Sequence, residues 1–247
     1  MAIPFFILAG NFLTHGGVAK RMIRFATAMV GHWHGGLGLG GVLACALFAA
    51  VSGSSPATVV AIGSILLPAM VKAGFPKRFG AGVITTSGAL GILIPPSIVM
   101  VMYSVSTNTS VGTLFMAGVL PGIVLATMLG FTTWWRARAN NYPRLPRASW
   151  GERARALRDS IWGLLLIVIV MGGIYSGMFT PTEAAAMSAV WAFVAAVFIY
   201  KDMRLRDVPR VLLASANMSA MLLYIITNAA LFSFLMTHEN IPQAMAD

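Results

Sequence analysis

Acidic side chains are nearly missing from this sequence. Of its 247 residues only seven are Asp or Glu, and none occurs between Met1 and Gly151. The first half therefore has no carboxylate pair for general acid–base chemistry and no intramembrane carboxylate to carry a proton. Cysteine is reduced to Cys45, which excludes a disulfide framework and a thiolate metal site. Charge of either sign is sparse, at 10% of residues against roughly 25% in soluble domains. Hydrophobic residues make up 58%, and the mean hydropathy is +0.81. That balance excludes a water-soluble enzyme, a coiled coil and a disordered segment, and leaves an integral membrane protein. The opening Met1-Ala2-Ile3-Pro4 lacks a basic n-region, so no cleavable signal peptide is expected.

What charge there is falls in four basic clusters that together hold all seventeen Lys and Arg. These are Lys20/Arg21/Arg24, Lys72/Lys77/Arg78, seven arginines from Arg136 to Arg158, and Lys201/Arg204/Arg206/Arg210. Basic loops stay on the cytoplasmic side, so each stretch between two clusters must leave that side and return. Residues 160–179 and 183–200 are each about 20 apolar residues, enough to cross a core of ~30 Å, with Thr180-Pro181-Thr182 as the outer turn. Residues 79–134 make a second round trip, with Thr107-Asn108-Thr109-Ser110 at the far side and Val111–Trp135 returning. Residues 211–236 exit once, leaving His238 and Glu239 outside. The arginine-rich stretch 136–159 is expected to be a cytoplasmic loop whose arginines set orientation and meet anionic headgroups; nucleic acid is not an expected partner.

The interval 35–71 is too short for an ordinary round trip, and Ser52-Gly53-Ser54-Ser55-Pro56 interrupts its centre. Ala57–Val71 has 15 residues, ~22 Å as helix, short of a span. The expectation is a re-entrant hairpin whose two half-helices meet at a polar tip. Two short spanning helices with an exposed turn are the alternative. Within 79–106 a second defect appears at Gly91-Ile92-Leu93-Ile94-Pro95-Pro96-Ser97. Pro95 and Pro96 have no N–H to give the carbonyls of Gly91 and Ile92, just as Pro56 strands that of Ser52. In hydrocarbon each unsatisfied carbonyl costs several kcal/mol, so such backbone lines a cavity or binds something; a plain proline kink is the simpler alternative. Each break starts a new half-helix with a partial positive charge at its N-terminus. Two such ends favour an anion, and loose neutral oxygens favour a small hard cation, the division of labour found in secondary transporters. With no carboxylate nearby, sodium is the simpler coupling ion. Before the hairpin, Val18, Met22, Phe25, Met29 and Trp33 form a helical stripe opposite Lys20, Arg21 and Arg24, the pattern of an interfacial helix that acts as a moving arm or merely anchors a loop.

Five stretches carry a family resemblance. They are Ile3-Pro4-Phe5-Phe6-Ile7-Leu8-Ala9-Gly10, Phe48–Ser55 with Ala57, Gly91–Ser97, Ala117-Gly118-Val119-Leu120-Pro121-Gly122, and Gly177-Met178-Phe179-Thr180-Pro181-Thr182-Glu183-Ala184. In order and extent the chain resembles the large membrane subunit of a tripartite ATP-independent periplasmic (TRAP) transporter. The resemblance implies an all-α polytopic protein of the bacterial inner membrane, with an elevator-type, ion-transporter-like inverted-repeat fold. It implies import of an organic anion such as a dicarboxylate, sugar acid or sialic acid, with Na+ as coupling ion and no other cofactor. The implied partners are a periplasmic substrate-binding protein and a small four-helix membrane subunit. By position, Ser52, Gly53, Ser54, Gly91, Ile94 and Pro95 match a sodium site, and Ser54, Ser55 and Ser97 match hydroxyls that touch substrate. Thr180, Pro181, Thr182 and Glu183 match a motif without an assigned chemical role; Glu183 is placed to cap the following helix.

The expected organisation follows. Residues 1–34 hold an incomplete first helix and the arm, 35–71 the hairpin, 79–135 the broken helix and its return, and 136–159 the basic loop. Residues 160–236 hold three transmembrane helices that begin a second repeat, and 237–247 are a truncated end, so the chain is expected to be a fragment. Two other functions compete. An intramembrane serine hydrolase needs a base beside Ser52–Ser55, yet His15, His32, His34 and His238 all fall at expected membrane edges. A passive channel also uses bare carbonyls, but its flux does not depend on sodium. The charge pattern makes a direct prediction: in Asn108→Cys the thiol reacts with an impermeant reagent from outside, and in Leu145→Cys it does not. The reverse labelling would overturn the orientation.

Overall fold

The computed structural model describes residues 2–239; Met1 and residues 240–247 of the expected end lie outside them. Among the described residues the chain is helical without strands. The helices are α1 (Ala2–His15), α2 (Val18–Val30), α3 (Gly36–Ser52), α4 (Ser55–Lys72), α5 (Lys77–Gly88), the single turn α6 (Leu90–Leu93), α7 (Ile98–Thr107), α8 (Val111–Ala139), α9 (Trp150–Tyr175), α10 (Pro181–Val194) and α11 (Val208–His238). A π-helical turn, Ala195–Ile199, continues α10. Five helices are by themselves long and apolar enough to cross a bilayer: α4, α8, α9, α10 with its π turn, and α11 with the turn before it. Two bent pairs pass the same criterion jointly, α1 with α2 at 70° and α5–α6 with α7 at 41°. The protein is an all-helical, multi-pass membrane protein.

The first helix is short, yet it is the centre of the packing. Phe6, Ile7, Ala9, Phe12 and Leu13 are all buried where α1 meets α10, α11 and α3, and the Phe12 and Phe193 rings meet edge to face at 5.4 Å. At its end the chain swings into α2 through Gly16-Gly17. The face that α2 buries is Val18, Ala19, Met22, Ile23 and Ala26, against α3 and α9. The expected stripe needs correcting at its far end, since Met29 and Trp33 are 41% and 53% exposed. A spacing of mostly four residues drifts off a face that repeats every 3.6, and α2 stops at Val30, before Trp33.

Two other boundaries depart from the sequence expectation. Helix α4 has 18 residues rather than 15, because the Ser54 hydroxyl accepts from the Ala57 N–H at 3.5 Å and Pro56 occupies the first turn, where its missing N–H is harmless. Nor is the stretch 136–159 a single loop. Helix α8 continues to Ala139, and α9 begins at Trp150 on a capping box in which Ser149 Oγ accepts from Glu152 N and Glu152 Oε2 from Ser149 N. Only residues 140–149 connect the two, and five of the seven arginines stand on helices. The connection is folded back: Leu145 N donates to Gly31 O at 3.0 Å, and Tyr142 packs on Phe79 and Phe75 at 4.8 and 5.3 Å. Arg144 donates to His34 Nε2, which requires an acceptor nitrogen there. Partial desolvation, then the Arg144 and Arg138 guanidiniums, hold the His34 imidazole below its ordinary pKa, in the neutral form that can accept.

Helix α11 buries only Val211, Ser215 and Ser219, a stripe at four-residue spacing whose small residues let it lie close to α1. Asn11 Nδ2 donates to Ser215 Oγ at 2.8 Å across this contact, and Ser215 Oγ donates to Val211 O. Buried interhelical hydrogen bonds in membrane proteins average about 0.6 kcal/mol and reach about 1.7. A double-mutant cycle of Asn11→Ala and Ser215→Ala, read by unfolding in mixed micelles, should therefore give a coupling of about 0.5–1.5 kcal/mol. Additive single effects would show that the bond carries nothing.

Candidate functional site

Helix α3 ends where Gly53 takes a left-handed conformation, φ +61°, with its N–H returned to Ala49 O at 2.9 Å. Ser54 follows in extended geometry and caps α4. One turn on, Thr58 ties the tip together. Its N–H and hydroxyl both donate to Ser54 O, at 3.0 and 2.8 Å, and its Oγ1 lies 3.1 Å from Ser52 Oγ. Thr58 and Ser52 are buried, so this hydroxyl pair is shut in the interior. Sequence reasoning missed Thr58, although the Ser54-x-x-x-Thr58 spacing puts its hydroxyl back over the capping residue.

The second break forms between α6 and α7. Ile94 N returns to Leu90 O at 2.8 Å, and the chain then leaves helical geometry at Ile94 (φ −79°, ψ 119°), bends through Pro95 and the cis-linked Pro96, and reaches Ser97 (φ −123°, ψ 127°), where α7 starts. The two breaks touch. Ile98 N, the first amide of α7, donates to Gly53 O at 3.0 Å. A Cβ on Gly53 would stand 2.6 Å from Pro96 O, and one on Gly91 2.9 Å from Ser55 N and 3.0 Å from the Ser54 carbonyl carbon. Only glycine allows this approach from both sides, and at Gly53 only glycine takes the backbone angle without strain. Of the candidate residues, Ser52, Gly53, Ser54, Ser55, Gly91 and Ser97 thus belong to two chain segments in direct contact. Pro95 is buried beside them, whereas the Ile94 side chain turns toward α8, at 3.0 Å from where a Cβ on Gly122 would be.

The hydroxyls divide into two groups. Ser52 and Ser54 spend theirs inside the tip, on Thr58 and on the Ala57 amide. Ser55 Oγ and Ser97 Oγ are buried without a hydrogen-bond partner, and so is Ser87 Oγ on α5. Ser87 was missed by sequence reasoning, although it lies four residues before Gly91. Buried polar atoms ordinarily find partners, so these three oxygens are the hydroxyls near the junction whose hydrogen-bonding capacity is left over. Beside Ser55 an open, largely apolar groove of about 470 Å³ runs along Pro56, Val59, Val60, Gly88 and Ile92, and neither Ser87 nor Ser97 lines it. Every donor the two breaks present is a neutral oxygen, the set that suits a hard cation held without carboxylates. Helices α4 and α7 both begin here, of 18 and 10 residues, each with its positive end at the junction. Helix α8 locates the junction in depth. Cβ atoms on Gly118 and Gly122 would stand 2.5 Å from Leu93 O and 3.0 Å from Ile94 Cγ1. Those glycines lie about 10–17 Å along a helix about 43 Å long.

Thr180, Pro181, Thr182 and Glu183 form the start of α10. Thr180 Oγ1 accepts from Glu183 N at 3.3 Å, and Glu183 Oε2 accepts from Thr180 N and Oγ1 at 2.8 and 2.9 Å. With Pro181 at the first helical position, the motif is a complete helix-start signal. None of the four histidines hydrogen-bonds a tip hydroxyl: His15 meets Asn11 O, His34 meets Arg144, His238 meets Glu239, and His32 Nδ1 is unpartnered.

Comparison with known proteins gives a consistent picture. The family described as "Tripartite ATP-independent periplasmic transporter, DctM component" matches residues 1–247. The chain is 74% identical over 261 aligned positions to the C4-dicarboxylate TRAP transporter large permease protein DctM of Rhodobacter capsulatus, covering all of this chain and 59% of that protein. It is 56% identical to the protein of the same description in Pseudomonas aeruginosa, covering 58% of it. It is 38% identical to the 2,3-diketo-L-gulonate TRAP transporter large permease protein YiaN of Escherichia coli, again over all of this chain and 58% of the relative. The chain thus spans somewhat under three fifths of the length of these relatives.

The junction's dependence on glycine is directly testable. Gly53→Ala should destabilise the purified chain by roughly 2 kcal/mol or more, from the left-handed backbone and the displaced Pro96 carbonyl. Gly82→Ala on α5, where a Cβ meets nothing within 4 Å, should be neutral or stabilising by up to ~1 kcal/mol. Thermal unfolding in detergent reads both; equal stability of the two variants would remove the close contact from the account.

Proposed function

Since the chain belongs to the tripartite ATP-independent periplasmic transporter family, as its DctM component, the resemblance noted in the sequence is borne out, and we propose that the complete permease imports an organic anion together with sodium across the bacterial inner membrane. A C4-dicarboxylate is the first substrate class, because the DctM relatives at 74% and 56% identity are named for it; a sugar acid is the next, from the diketogulonate relative. A periplasmic substrate-binding protein delivers the anion, and a small four-helix membrane subunit completes the assembly. The observation that carries this proposal is the contact of the two breaks, Ile98 N to Gly53 O, with unpaired Ser55 and Ser97 hydroxyls beside it.

The chemistry follows from the donors. Na+ takes oxygens of the Ser52–Ser54 tip and of the Gly91–Pro95 segment, including carbonyls that Pro56, Pro95 and Pro96 leave without an amide. Once bound, the ion adds positive charge to the two helix N-termini, and a carboxylate is attracted where alone it would meet only partial charges. Sodium and anion therefore favour each other's binding, which is the coupling a symporter needs. For the anion the available hydroxyls are Ser55 and Ser97, since Ser54 Oγ already caps α4. The re-entrant arrangement of α3 and α4 is supported by depth: the second break, to which the tip is hydrogen-bonded, packs against Gly118 and Gly122, about halfway across a ~30 Å core if α8 enters at Val111. Elevator movement is supported by the bond between the breaks, which makes hairpin and broken helix one body. The hydrolase alternative has no base at the tip, because every histidine lies elsewhere.

Ser52→Ala in the complete permease, reconstituted with its binding protein and small subunit, should raise the sodium concentration for half-maximal uptake by about tenfold, roughly 1.4 kcal/mol. Ser97→Ala should raise the substrate requirement by a similar factor and leave thermal unfolding unchanged, because its hydroxyl has no internal bond to lose. A sodium titration unaltered by Ser52→Ala would count against the site.

A further inference from the structure

A polar concavity lies away from the junction, where the first turns of α2 face the start of α9 and the segment after the π turn. It encloses about 480 Å³ and is lined by Lys20, Arg21, Arg24 and Arg158, with Asp159 and Asp202. Its floor is rigid. Arg21 pairs with Asp202 and lies flat on the Tyr200 ring at 3.9 Å. Tyr200 OH donates to Asp159 O at 2.8 Å and accepts from Gly163 N at 3.2 Å, and Ser160 Oγ donates to Arg21 O at 3.1 Å. Arg24 reaches Asp159 at 3.4 Å. Both acids are thereby used, and Lys20 and Arg158 have no ion-pair or hydrogen-bond partner among the described residues. The groove keeps two uncompensated positive charges.

One wall of the groove is apolar. Trp162 and Ile199 line it, and Phe198 next to Ile199 is 55% exposed. Trp162 lies one helical turn, ~6 Å, beyond Arg158 on α9, and its carbonyl accepts from Trp191 Nε1 at 3.0 Å. Tryptophan at the point where a helix passes from charged to apolar residues marks the headgroup level of a bilayer. A guest here meets cations at one end and hydrocarbon-facing rings at the other, which free phosphate cannot exploit.

We propose that this groove binds the phosphate of an anionic phospholipid, held by Lys20 and Arg158, with an acyl chain lying along Trp162 and Ile199. The lipid spans α2 and α9 and so staples the α2 arm to the helices beneath it. The test is native mass spectrometry of the full chain released from micelles titrated with phosphatidylglycerol or phosphatidylcholine. The unaltered chain should retain phosphatidylglycerol in preference to phosphatidylcholine. K20Q/R158Q should lose that retention by about thirtyfold, as expected for two removed charges at a membrane surface, and each single variant by about fivefold. K72Q/K77Q, which removes the same charge from the α4–α5 turn, should retain the lipid as the unaltered chain does. Unfolding temperatures of all variants are compared, and since Lys20 and Arg158 make no internal bond they should match. Undiminished retention by K20Q/R158Q, equal loss in K72Q/K77Q, or equal retention of phosphatidylcholine would each overturn the site. Displacement by excess inorganic phosphate would do the same, by assigning the groove to the free ion.

Discussion

A single peptide-to-peptide hydrogen bond, from the amide of Ile98 to the carbonyl of Gly53, holds the centre of this protein together. Backbone polar groups left bare in a bilayer cost several kcal/mol each, and three prolines at the two breaks remove amides that would otherwise satisfy them. Each break alone would be a defect. In contact, one supplies a donor to the other, and the oxygens that remain open are concentrated at one place within the protein. The close approach is possible only because Gly53 and Gly91 have no side chain on the facing surfaces. Those small residues, more than the serines, set the distance between the two segments.

Around this junction the rest of the fold serves to fix position. Helix α8 presents Gly118 and Gly122 to the second break, and α1 brings Gly10 to the first, where a Cβ would stand 3.2 Å from Ser52 O. Helix α1 is in turn clamped by α10 and α11, through Phe12 on Phe193 and Asn11 on Ser215. The short first helix thus links the tip between α3 and α4 to the helices on its other side. The α2 arm leaves α1 at a 70° bend and packs on both α3 and α9. It lies against the hairpin on one face and against the charged groove on the other.

Much of the architecture was legible because hydrophobic length, proline and basic charge act locally. Runs of apolar residues mark the crossing helices, Pro56 and Pro95-Pro96 mark the places where helix cannot continue, and Glu183 marks a helix start. The Thr180–Glu183 motif, whose role was open in the sequence, is accounted for by that local chemistry. What misled was also local. Counting α4 from Ala57 ignored that Ser54 caps it and Pro56 is tolerated in its first turn. Treating 136–159 as loop ignored that arginines are good helix formers. The drift of the α2 stripe away from Met29 and Trp33 reflects a spacing slightly longer than the helical repeat.

The sequence by itself determined that the chain is a membrane protein, where its helices break, which oxygens prolines leave bare, and which family it resembles. These follow from composition and from the covalent chemistry of single residues. Only the tertiary structure decided that the two breaks meet, and that Ser54 and Ser52 are spent internally while Ser55, Ser87 and Ser97 stay open. It also decided that Thr58 locks the tip and that Lys20 and Arg158, distant in sequence, share one groove. Partnership of this kind depends on which backbones can approach within a few ångströms, and that is set by the joint packing of helices that no local pattern specifies.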